Sequence, residues 1–374
     1  MSEIVPFTDL TAAASEVRSA IGEAWEELID SGAFVGGPAV ERFERAWAEY
    51  CGTSHAVGVG NGTDAIKLTL NALGIGAGDE VIVPANTFIA SATAVVLTGA
   101  TPRFADVDPG TLLLTPETLL AAVTSRTRAV LVVHLYGQMP DMDALGRAAA
   151  TAGLVIIEDA AQAHGATWRG RRAGAFGLAG CFSFYPAKNL GAFGDAGAVV
   201  TSDAALAERI RSLGNHGRVP GGHHQHELIG TNSRLDALQA AVLTAKVGKL
   251  DGWTRARRSL AARYRAAFAD GPVRVIDEVP SCRGAYHLAV VRVRERDAVR
   301  DRLAATGIQT GVHYPVPCHL QGPYRKFAAG RLPAAEEAAA EILSLPIFPH
   351  MTDAQFARVC QAVRRACGGS RQVA

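Results

Sequence analysis

Three short segments of the sequence carry residue types that could do chemistry, and the first is a glycine-rich turn at residues 58–65. A dinucleotide-binding fingerprint requires a third glycine at the position that Thr63 occupies, so that motif is excluded. The remaining pattern predicts a turn that enters a helix at Thr63. Free backbone N–H groups, the helix dipole and a hydroxyl would bind one phosphate group there. A helix start with Thr63 as its N-cap explains the pattern as well.

The second segment is an apolar run, residues 154–157, that ends in Glu158 and Asp159. An acidic residue that closes a buried strand points toward the crevice where open α/β sheets bind ligands. A buried carboxylate is costly unless a cation or hydrogen-bond donors face it. It could be catalytic, metal-binding or a structural cap. No second carboxylate or histidine pair follows at a metal-ligand spacing, so no metal site is predicted.

The third segment contains Lys188, which is flanked by apolar, aromatic and glycine residues between positions 181 and 197. Burial or a neighbouring cation lowers the pKa of an amine, and such a lysine is a nucleophile toward carbonyl groups. A buried, ion-paired lysine explains this segment equally well when it is taken alone.

One ligand, pyridoxal 5′-phosphate (PLP), would account for all three segments. It needs a phosphate-binding turn, an amine for its aldehyde, a carboxylate for its ring nitrogen and a flat neighbour for its ring. Thr63 and Ser183 suit the first need, and Lys188 suits the second. Asp159 suits the third, and Phe88 suits the fourth. A carboxylate beside the ring nitrogen keeps it protonated, so the ring accepts electrons when a Cα proton leaves, with Lys188 as the general base.

The hydrophobic pattern predicts the elements that must bring these residues together. Beyond about residue 55, short β-branched runs alternate with Ala- and Leu-rich stretches of helical spacing. Strands buried on both faces and joined by helices form a mostly parallel sheet covered on both sides. The predicted strands are residues 81–83, 129–133, 154–157 and 198–200, and the predicted helices are residues 64–73, 91–97, 116–123, 141–152 and 204–213.

A change of pattern after residue 250 predicts a second, smaller α+β unit. A long helix begins within residues 235–250 and continues into the arginine-rich segment 255–265, which we expect to be a solvated helix face. We therefore predict a large domain of residues 1–250 and a small C-terminal domain of residues 251–374. The strands predicted for the small domain are residues 273–275, 286–293 and 309–313, and its helices are residues 336–343 and 353–366.

Composition excludes several classes of protein. The 374 residues carry 37 Lys and Arg against 36 Asp and Glu, a net charge of +1. No polybasic run is present, so neither nucleic-acid binding nor a membrane surface is predicted. The uncharged stretch 81–102 is long enough to cross a bilayer, but its prolines and Asn86 favour a strand, a turn and a helix. The first residues do not resemble a secretory signal, and the six cysteines form no CxxC pair, so we expect a cytoplasmic protein.

Six motifs in order make the chain resemble the PLP-dependent sugar aminotransferases of the DegT/StrS type. The family has the aspartate aminotransferase architecture, PLP fold type I, with a large α/β domain and a smaller α+β C-terminal domain. The resemblance runs nearly end to end. The motifs are Gly62-Thr63-Asp64-Ala65, Pro84-Ala85-Asn86-Thr87-Phe88, His134-Leu135-Tyr136-Gly137-Gln138, Glu158-Asp159-Ala160-Ala161-Gln162-Ala163-His164-Gly165, Ser183-Phe184-Tyr185-Pro186-Ala187-Lys188-Asn189-Leu190-Gly191 and Asn232-Ser233-Arg234-Leu235-Asp236.

The resemblance implies a role for each residue around the cofactor ring. Lys188 would bind the cofactor covalently, and Asp159 would pair with the ring nitrogen. Gln162 would hydrogen-bond the phenolic oxygen, and Phe88 would stack on the ring. Because some members of this superfamily carry histidine in place of the lysine and catalyse dehydration, the presence of Lys188 favours transamination.

The resemblance also implies a phosphate site and a homodimer. Gly62, Thr63 and Ser183 would hold the cofactor phosphate. Asn232 would reach the phosphate bound by the neighbouring subunit, so each active site would need two chains.

The resemblance also implies the class of substrate. Family members usually transfer an amino group from L-glutamate to a keto sugar linked to a nucleotide. Tyr185, His313 and Tyr314 favour amination at C-3 of a dTDP-3-keto-6-deoxyhexose. Three alternatives stay open: a C-4 sugar aminotransferase, an aminotransferase for a keto-cyclitol such as scyllo-inosose, and a PLP-binding regulatory protein without turnover. The histidine-containing loop 223–226 lacks a partner cluster for a metal, and the resemblance suggests that it approaches the sugar or nucleotide.

Overall fold

The apolar runs of the sequence form a central seven-stranded sheet in the computed structural model, which describes residues 4–219, 221–222 and 224–368. The described residues also form two three-stranded sheets. The strands are β1 His55–Val59, β2 Glu80–Pro84, β3 Thr101–Ala105, β4 Thr127–Val133, β5 Val155–Asp159, β6 Thr167–Trp168, β7 Arg171–Arg172, β8 Ala179–Ser183, β9 Gly197–Thr201, β10 Arg274–Val275, β11 Cys282–Arg283, β12 Ala289–Arg292 and β13 Ile342–Leu345.

The central sheet is mostly parallel, as predicted. Its strand order is β1-β9-β8-β5-β4-β2-β3, and only β9 runs against its neighbours. The four strands predicted for this sheet correspond to β2, β4, β5 and β9, whereas β1, β3 and β8 were not predicted. β1 and β8 contain glycine and β3 contains proline, both of which weaken a strand pattern in the sequence. Pairing with the neighbouring strands stabilises these three strands although their local sequence pattern is weak.

Helices cover both faces of the central sheet. The side chains of β2 and β4 alternate between two hydrophobic clusters, with Ile82 and Val130 in one and Val81 and Leu131 in the other. This alternation is what a strand buried on both faces requires. The helices are α1 Thr11–Ser15, α2 Arg18–Ser31, α3 Gly37–Cys51, α4 Gly62–Ala72, α5 Ile89–Leu97, α6 Pro116–Ala122, α7 Met142–Thr151, α8 Ala204–Gly214, α9 Ala237–Ala267, α10 Arg296–Ala305, α11 Pro333–Glu341 and α12 Asp353–Gly368.

The C-terminal part is built around the antiparallel sheet β10-β12-β13. Two sequence predictions are wrong here. Residues 309–313 form no strand and contribute one isolated bridge between Gly311 and Ser344. The helix predicted for residues 336–343 ends at Glu341, because residues 342–345 pair with β12 instead. In both cases the secondary structure depends on which strand lies close enough to pair, and the local sequence does not specify that.

Helix α9 runs without a break through residue 250, so it joins the two parts of the molecule. The division into residues 1–250 and 251–374 stays a prediction. Among the described residues, none of the helices combines the length and the apolar composition that crossing a bilayer requires.

Candidate active site

A cavity of about 490 Å³ opens at the carboxyl ends of the central strands. Asp159 is the last residue of β5 and Ser183 is the last residue of β8, and both line the cavity. Thr63 at the start of α4 and Lys188 in the loop after β8 line it as well. The three segments singled out in the sequence therefore meet at the edge where open α/β sheets bind ligands.

The structure brings together all but one of the predicted site residues. Asn232 is the exception, because it is exposed and does not line the cavity. Its backbone forms a bridge with Asn215. The predicted residues that line the cavity are Gly62, Thr63, Phe88, Asp159, Gln162, Ser183, Tyr185, Lys188, His313 and Tyr314.

The glycine-rich turn has the geometry of an anion site. The N-cap of α4 is Asn61, whose side chain accepts a hydrogen bond of 2.9 Å from the Asp64 backbone N–H. Thr63 is therefore not the cap, contrary to the simpler interpretation of the sequence. A Cβ atom at Gly62 would lie 2.6 Å from Cβ of Ser183, so only glycine fits there. The first N–H groups of a helix have no carbonyl partner within it and can bind a phosphate between Thr63 and Ser183.

Hydrogen bonds fix the carboxylate of Asp159. The Ser91 hydroxyl donates to its Oδ2 at 2.7 Å, and the backbone N–H of Ala161 donates to Oδ1 at 3.2 Å. Ser91 lies on α5 and is also 2.9 Å from the hydroxyl of Thr87. The sequence prediction did not identify Ser91, although a serine near the start of an apolar helix that follows a buried strand is a signal that could have found it. The buried Asp159 carboxylate thus keeps one orientation at the cavity wall.

Lys188 is a partly buried amine in the same cavity. Burial lowers the pKa of its ammonium to about 8, and the opposing attraction of the Asp159 carboxylate limits that effect. A lysine with this pKa has a substantial neutral fraction near neutral pH, which a nucleophile or a general base requires.

Polar and aromatic side chains form the opposite wall. Gln162 donates through Nε2 to the Tyr314 hydroxyl at 3.1 Å, and its Oε1 accepts from the backbone N–H of Tyr136 at 2.6 Å. The rings of Phe88 and Tyr314 have centroids 5.5 Å apart and are inclined by 37°. These contacts fix the Gln162 amide and present aromatic surface to a flat ligand.

His313 is a neutral hydrogen-bonding group in this wall. Its Nδ1 lies 2.8 Å from the Ser344 hydroxyl, and its ring stacks on Phe7 with centroids 5.6 Å apart. Burial, followed by the positive charge of Lys188, lowers the pKa of His313 to about 4. The same two causes, in the same order, push the pKa of His287 well below its usual value. Neither ring carries a charge at neutral pH.

Arg257 is a second cavity residue that the sequence prediction did not identify. The arginine-rich segment 255–265 was expected to be a solvated face, but the Arg257 side chain is buried and lines the cavity. Its position on α9 follows from the packing of that helix against both parts of the molecule, which local sequence does not encode.

No group of three His, Cys, Asp or Glu side chains among the described residues could hold a metal ion. Of the histidine-containing loop, His223 lies outside the described residues, and His224 and His226 are exposed.

Comparison with known proteins identifies the same family that the sequence motifs resemble. A model of the DegT/DnrJ/EryC1/StrS aminotransferase family matches residues 16–364. A dTDP-3-amino-3,4,6-trideoxy-alpha-D-glucose transaminase from Streptomyces venezuelae is 50% identical over 363 residues, which cover 96% of this chain and 95% of the relative.

Solved structures share the fold over nearly the whole chain. The crystal structure of S. venezuelae DesV in complex with a ketimine intermediate superposes with a TM-score of 0.95 at 49% identity and covers 100% of both chains. The structure of NtdA from Bacillus subtilis, with its cofactor PMP bound, has a TM-score of 0.91 at 31% identity and covers 98% of this chain and 86% of NtdA. The predicted α/β fold class is confirmed.

Proposed function

This chain belongs to the DegT/DnrJ/EryC1/StrS aminotransferase family, and we propose that it is a PLP-dependent enzyme that transfers an amino group from L-glutamate to a nucleotide-linked keto-deoxysugar. The proposed acceptor is C-3 of a dTDP-3-keto-6-deoxyhexose, in line with the 3-amino sugar in the name of the Streptomyces relative. The observation that carries the proposal is the meeting of Lys188, Asp159 and the Gly62 turn in one cavity.

The residues of the cavity fit PLP in charge and shape. The first N–H groups of α4, beside the Thr63 and Ser183 side chains that line the cavity, suit a phosphate. Asp159 offers a fixed carboxylate for the ring nitrogen, and Lys188 offers the amine. When bound, the cofactor supplies an electron-accepting ring that stabilises negative charge on the carbon that loses a proton.

Protein groups then bind, orient and move protons. Lys188 Nζ, with a pKa of about 8, can accept and return a proton at neutral pH. Ser91 holds the Asp159 carboxylate in place, and the burial of Asp159 would keep its pairing with the ring nitrogen of the cofactor out of water. Gln162, oriented by the Tyr136 N–H, would donate its amide hydrogen to an oxygen of the cofactor.

Tyr185, His313 and Tyr314 line the cavity, and we assign them to the substrate. A neutral imidazole and two phenols can donate and accept hydrogen bonds to sugar hydroxyls without introducing charge. In this proposal they position the ketone near Lys188 Nζ. The position of the ketone, C-3 or C-4, decides which hydroxyls remain for them to bind.

A homodimer completes the proposed site. Asn232 lies outside the cavity of its own chain and is exposed, so it is available to a neighbouring subunit. The proposed partners are the amino donor, the nucleotide sugar and a second copy of the chain. We place the enzyme in the cytoplasm, where nucleotide sugars are made, with neither nucleic acid nor membrane as a partner.

Spectroscopy and product analysis test the function. The purified protein is titrated with PLP, and we expect a visible absorption band in the wild type that is lost in Lys188→Ala. Lys249→Ala, an exposed lysine on α9, is the matched control and should keep the band. With L-glutamate and a dTDP-3-keto-6-deoxyhexose, mass spectrometry should detect the amino sugar.

Three outcomes would contradict parts of the proposal. A wild type that stays colourless after saturation with PLP would refute PLP dependence. Faster amination of a 4-keto sugar or of scyllo-inosose would refute the assigned acceptor. Failure of every amino donor to convert bound PLP to its amine form would favour a regulatory protein.

A further inference from the structure

Tyr136 lies behind the cavity wall, between residues assigned above to the cofactor and residues assigned to the substrate. It follows β4 and is buried, and its side chain does not line the cavity. Its backbone has a φ of 61°, in the left-handed region that tyrosine rarely occupies. A residue in this conformation persists where its surroundings hold it, and such residues are concentrated at ligand sites. The partners of Tyr136 therefore matter for the site.

The backbone N–H of Tyr136 fixes the orientation of the Gln162 amide. This N–H donates to Oε1 of Gln162 at 2.6 Å. Because a backbone N–H can only donate, the amide oxygen must face Tyr136, and the amide nitrogen is left for other partners. Nε2 donates to the Tyr314 hydroxyl at 3.1 Å. Its second hydrogen remains for the cofactor oxygen that we assigned to Gln162.

The direction of these bonds leaves the Tyr314 hydroxyl with a hydrogen to donate. A hydroxyl that accepts from Gln162 keeps its own hydrogen for another group. Tyr314 lines the cavity, and its hydroxyl has no further hydrogen-bond partner among the described residues. An oxygen of a sugar bound in the cavity can accept this hydrogen.

The hydroxyl of Tyr136 holds the same segment by its backbone. It donates to the carbonyl oxygen of His313 at 2.6 Å. Because His313 and Tyr314 are consecutive, Tyr136 holds one through its own side chain and the other through Gln162. These four residues, the Tyr136 network, form a closed ring of hydrogen bonds. A shift of the 313–314 backbone would strain the bonds made by Tyr136 and by Gln162 together.

We propose that Tyr136 is a positioning residue for the keto sugar: it sets the place of the Tyr314 hydroxyl and directs its hydrogen to an oxygen of the sugar. This assignment rests on the proposed function. The Ser344 hydroxyl and Phe7 contact the imidazole of His313, whereas Tyr136 holds its carbonyl. The bond to Gln162 comes from the Tyr136 backbone, so removal of the hydroxyl alone leaves Gln162 oriented toward the cofactor.

Calorimetric titration of the PLP-loaded protein with dTDP-6-deoxyglucose tests the proposal. This sugar has neither ketone nor amine, so it binds without reacting. Tyr136→Phe removes the bond to His313 and keeps the aromatic ring and the backbone bond to Gln162. We expect it to weaken sugar binding by about tenfold, near the upper end for one hydrogen bond. PLP affinity, measured from the visible band, should stay at the wild-type value.

Tyr264→Phe is the matched control. Tyr264 is also buried, its hydroxyl donates to the carbonyl of Pro346 at 2.8 Å, and it does not line the cavity. Each variant therefore loses one buried hydrogen bond to a backbone carbonyl, and both should lose a similar amount of thermal stability. Tyr264→Phe should bind the sugar as the wild type does.

Kinetics and a double-mutant cycle give further readouts. Tyr136→Phe should convert bound PLP to its amine form with glutamate at the wild-type rate, whereas its KM for the keto sugar should rise. Tyr314→Phe should show the same pattern. Because the Tyr136 hydroxyl acts through Tyr314, the double variant should bind the sugar little more weakly than Tyr314→Phe alone.

Three results would overturn the proposal. The first is equal sugar affinity in Tyr136→Phe and Tyr264→Phe. The second is a loss of PLP affinity and of melting temperature in Tyr136→Phe beyond that of the control, because that pattern is a structural role. The third is sugar-binding effects of Tyr136→Phe and Tyr314→Phe that simply add.

A wild type that binds no dTDP sugar would refute the proposed keto sugar instead. The same cycle, measured by urea unfolding of the cofactor-free proteins, then tests the Tyr136 network without substrate. Destabilisation by Tyr136→Phe and Tyr314→Phe that is less than additive would support the network, and additive values would overturn it.

Discussion

At the scale of single residues, the consecutive acidic residues Glu158 and Asp159 have different environments. Glu158 and Asp159 follow one another on β5, so their side chains point to opposite faces of the sheet. Asp159 faces the cavity, whereas Glu158 is fully buried, 2.7 Å from His134 Nε2, and accepts the backbone N–H of Gly174. Burial would raise the pKa of Glu158, but these bonds keep it below its usual value. Glu158 therefore anchors the segment after β5, whereas Asp159 presents its carboxylate to the cavity.

Burial of Lys188 predicts a pH-dependent cost in stability. The folded-state pKa of about 8 lies below the usual 10.5, so between these values the unfolded chain binds a proton that the folded apo-protein has lost. Stability attributable to Lys188 therefore rises with pH across this window, and the full cost is present below pH 8. We expect apo Lys188→Met to be more stable than the apo wild type by roughly 3 kcal/mol at pH 7. The advantage should shrink toward pH 10.

Urea unfolding of the cofactor-free proteins at pH 7 and pH 9.5 measures this difference. Lys249→Met, which removes an exposed lysine of α9, provides the control. A Lys188→Met protein that is less stable than the wild type at pH 7 would show that contacts of the lysine outweigh its desolvation.

At the scale of elements, the site depends on how tightly the start of α4 packs against the end of β8. Gly62 opens the helix within van der Waals contact of Ser183, and this contact sets the width of the proposed phosphate turn. The helix N-terminus, the end of β5 and the loop after β8 meet at the cavity, so their packing positions the groups they carry before any ligand binds.

Gly62→Ala tests this packing. The added Cβ would lie 2.6 Å from Cβ of Ser183, so the helix start must move, and we expect loss of stability of about 1–3 kcal/mol together with weaker PLP binding. Gly22→Ala is the matched control, since Gly22 lies within α2 and a Cβ there has open space. That variant should be neutral or more stable, by up to about 1 kcal/mol. Thermal unfolding and PLP titration of both variants provide the measurement, and normal PLP affinity in Gly62→Ala would contradict the assigned phosphate site.

At the scale of the whole molecule, exposed apolar side chains accompany Asn232. Ile229, three residues before it, is fully exposed, and Phe34 and Val35 are exposed as well. A bridge between Val35 and Asp236 brings Phe34 and Val35 close to the segment that contains Asn232. An apolar region of this kind, next to the residue proposed to enter a second active site, favours burial against another copy of the chain.

Hybrid dimers test the shared site. Lys188→Ala and Asn232→Ala should each be inactive, because each lacks one component of every site. When the two are mixed under conditions that exchange subunits, half of the dimers carry one intact site, so about a quarter of wild-type activity should return. Mass spectrometry of the mixture verifies that hybrids form. Demonstrated hybrids without recovered activity would refute the contribution of Asn232 across the interface.

The sequence by itself determined the alternation of strands and helices, the six motifs and the three segments that meet at the cavity. These features are local: apolar periodicity specifies an element, and a strand that ends in a carboxylate places that carboxylate at the sheet edge. The order of the motifs was sufficient to identify the family. The known chemistry of that family then gave the cofactor and the substrate class as hypotheses.

The tertiary structure alone decided what depends on distant neighbours. The strand β13 replaced the end of a predicted helix because β12 was available to pair with it. Ser91 became the partner of Asp159, and Arg257 became a cavity residue, because α5 and α9 pack there. Burial and charge at a residue are set by groups far apart in the chain, so the residues beside Lys188 left its lowered pKa as one of two interpretations, and only the packing around it decided between them.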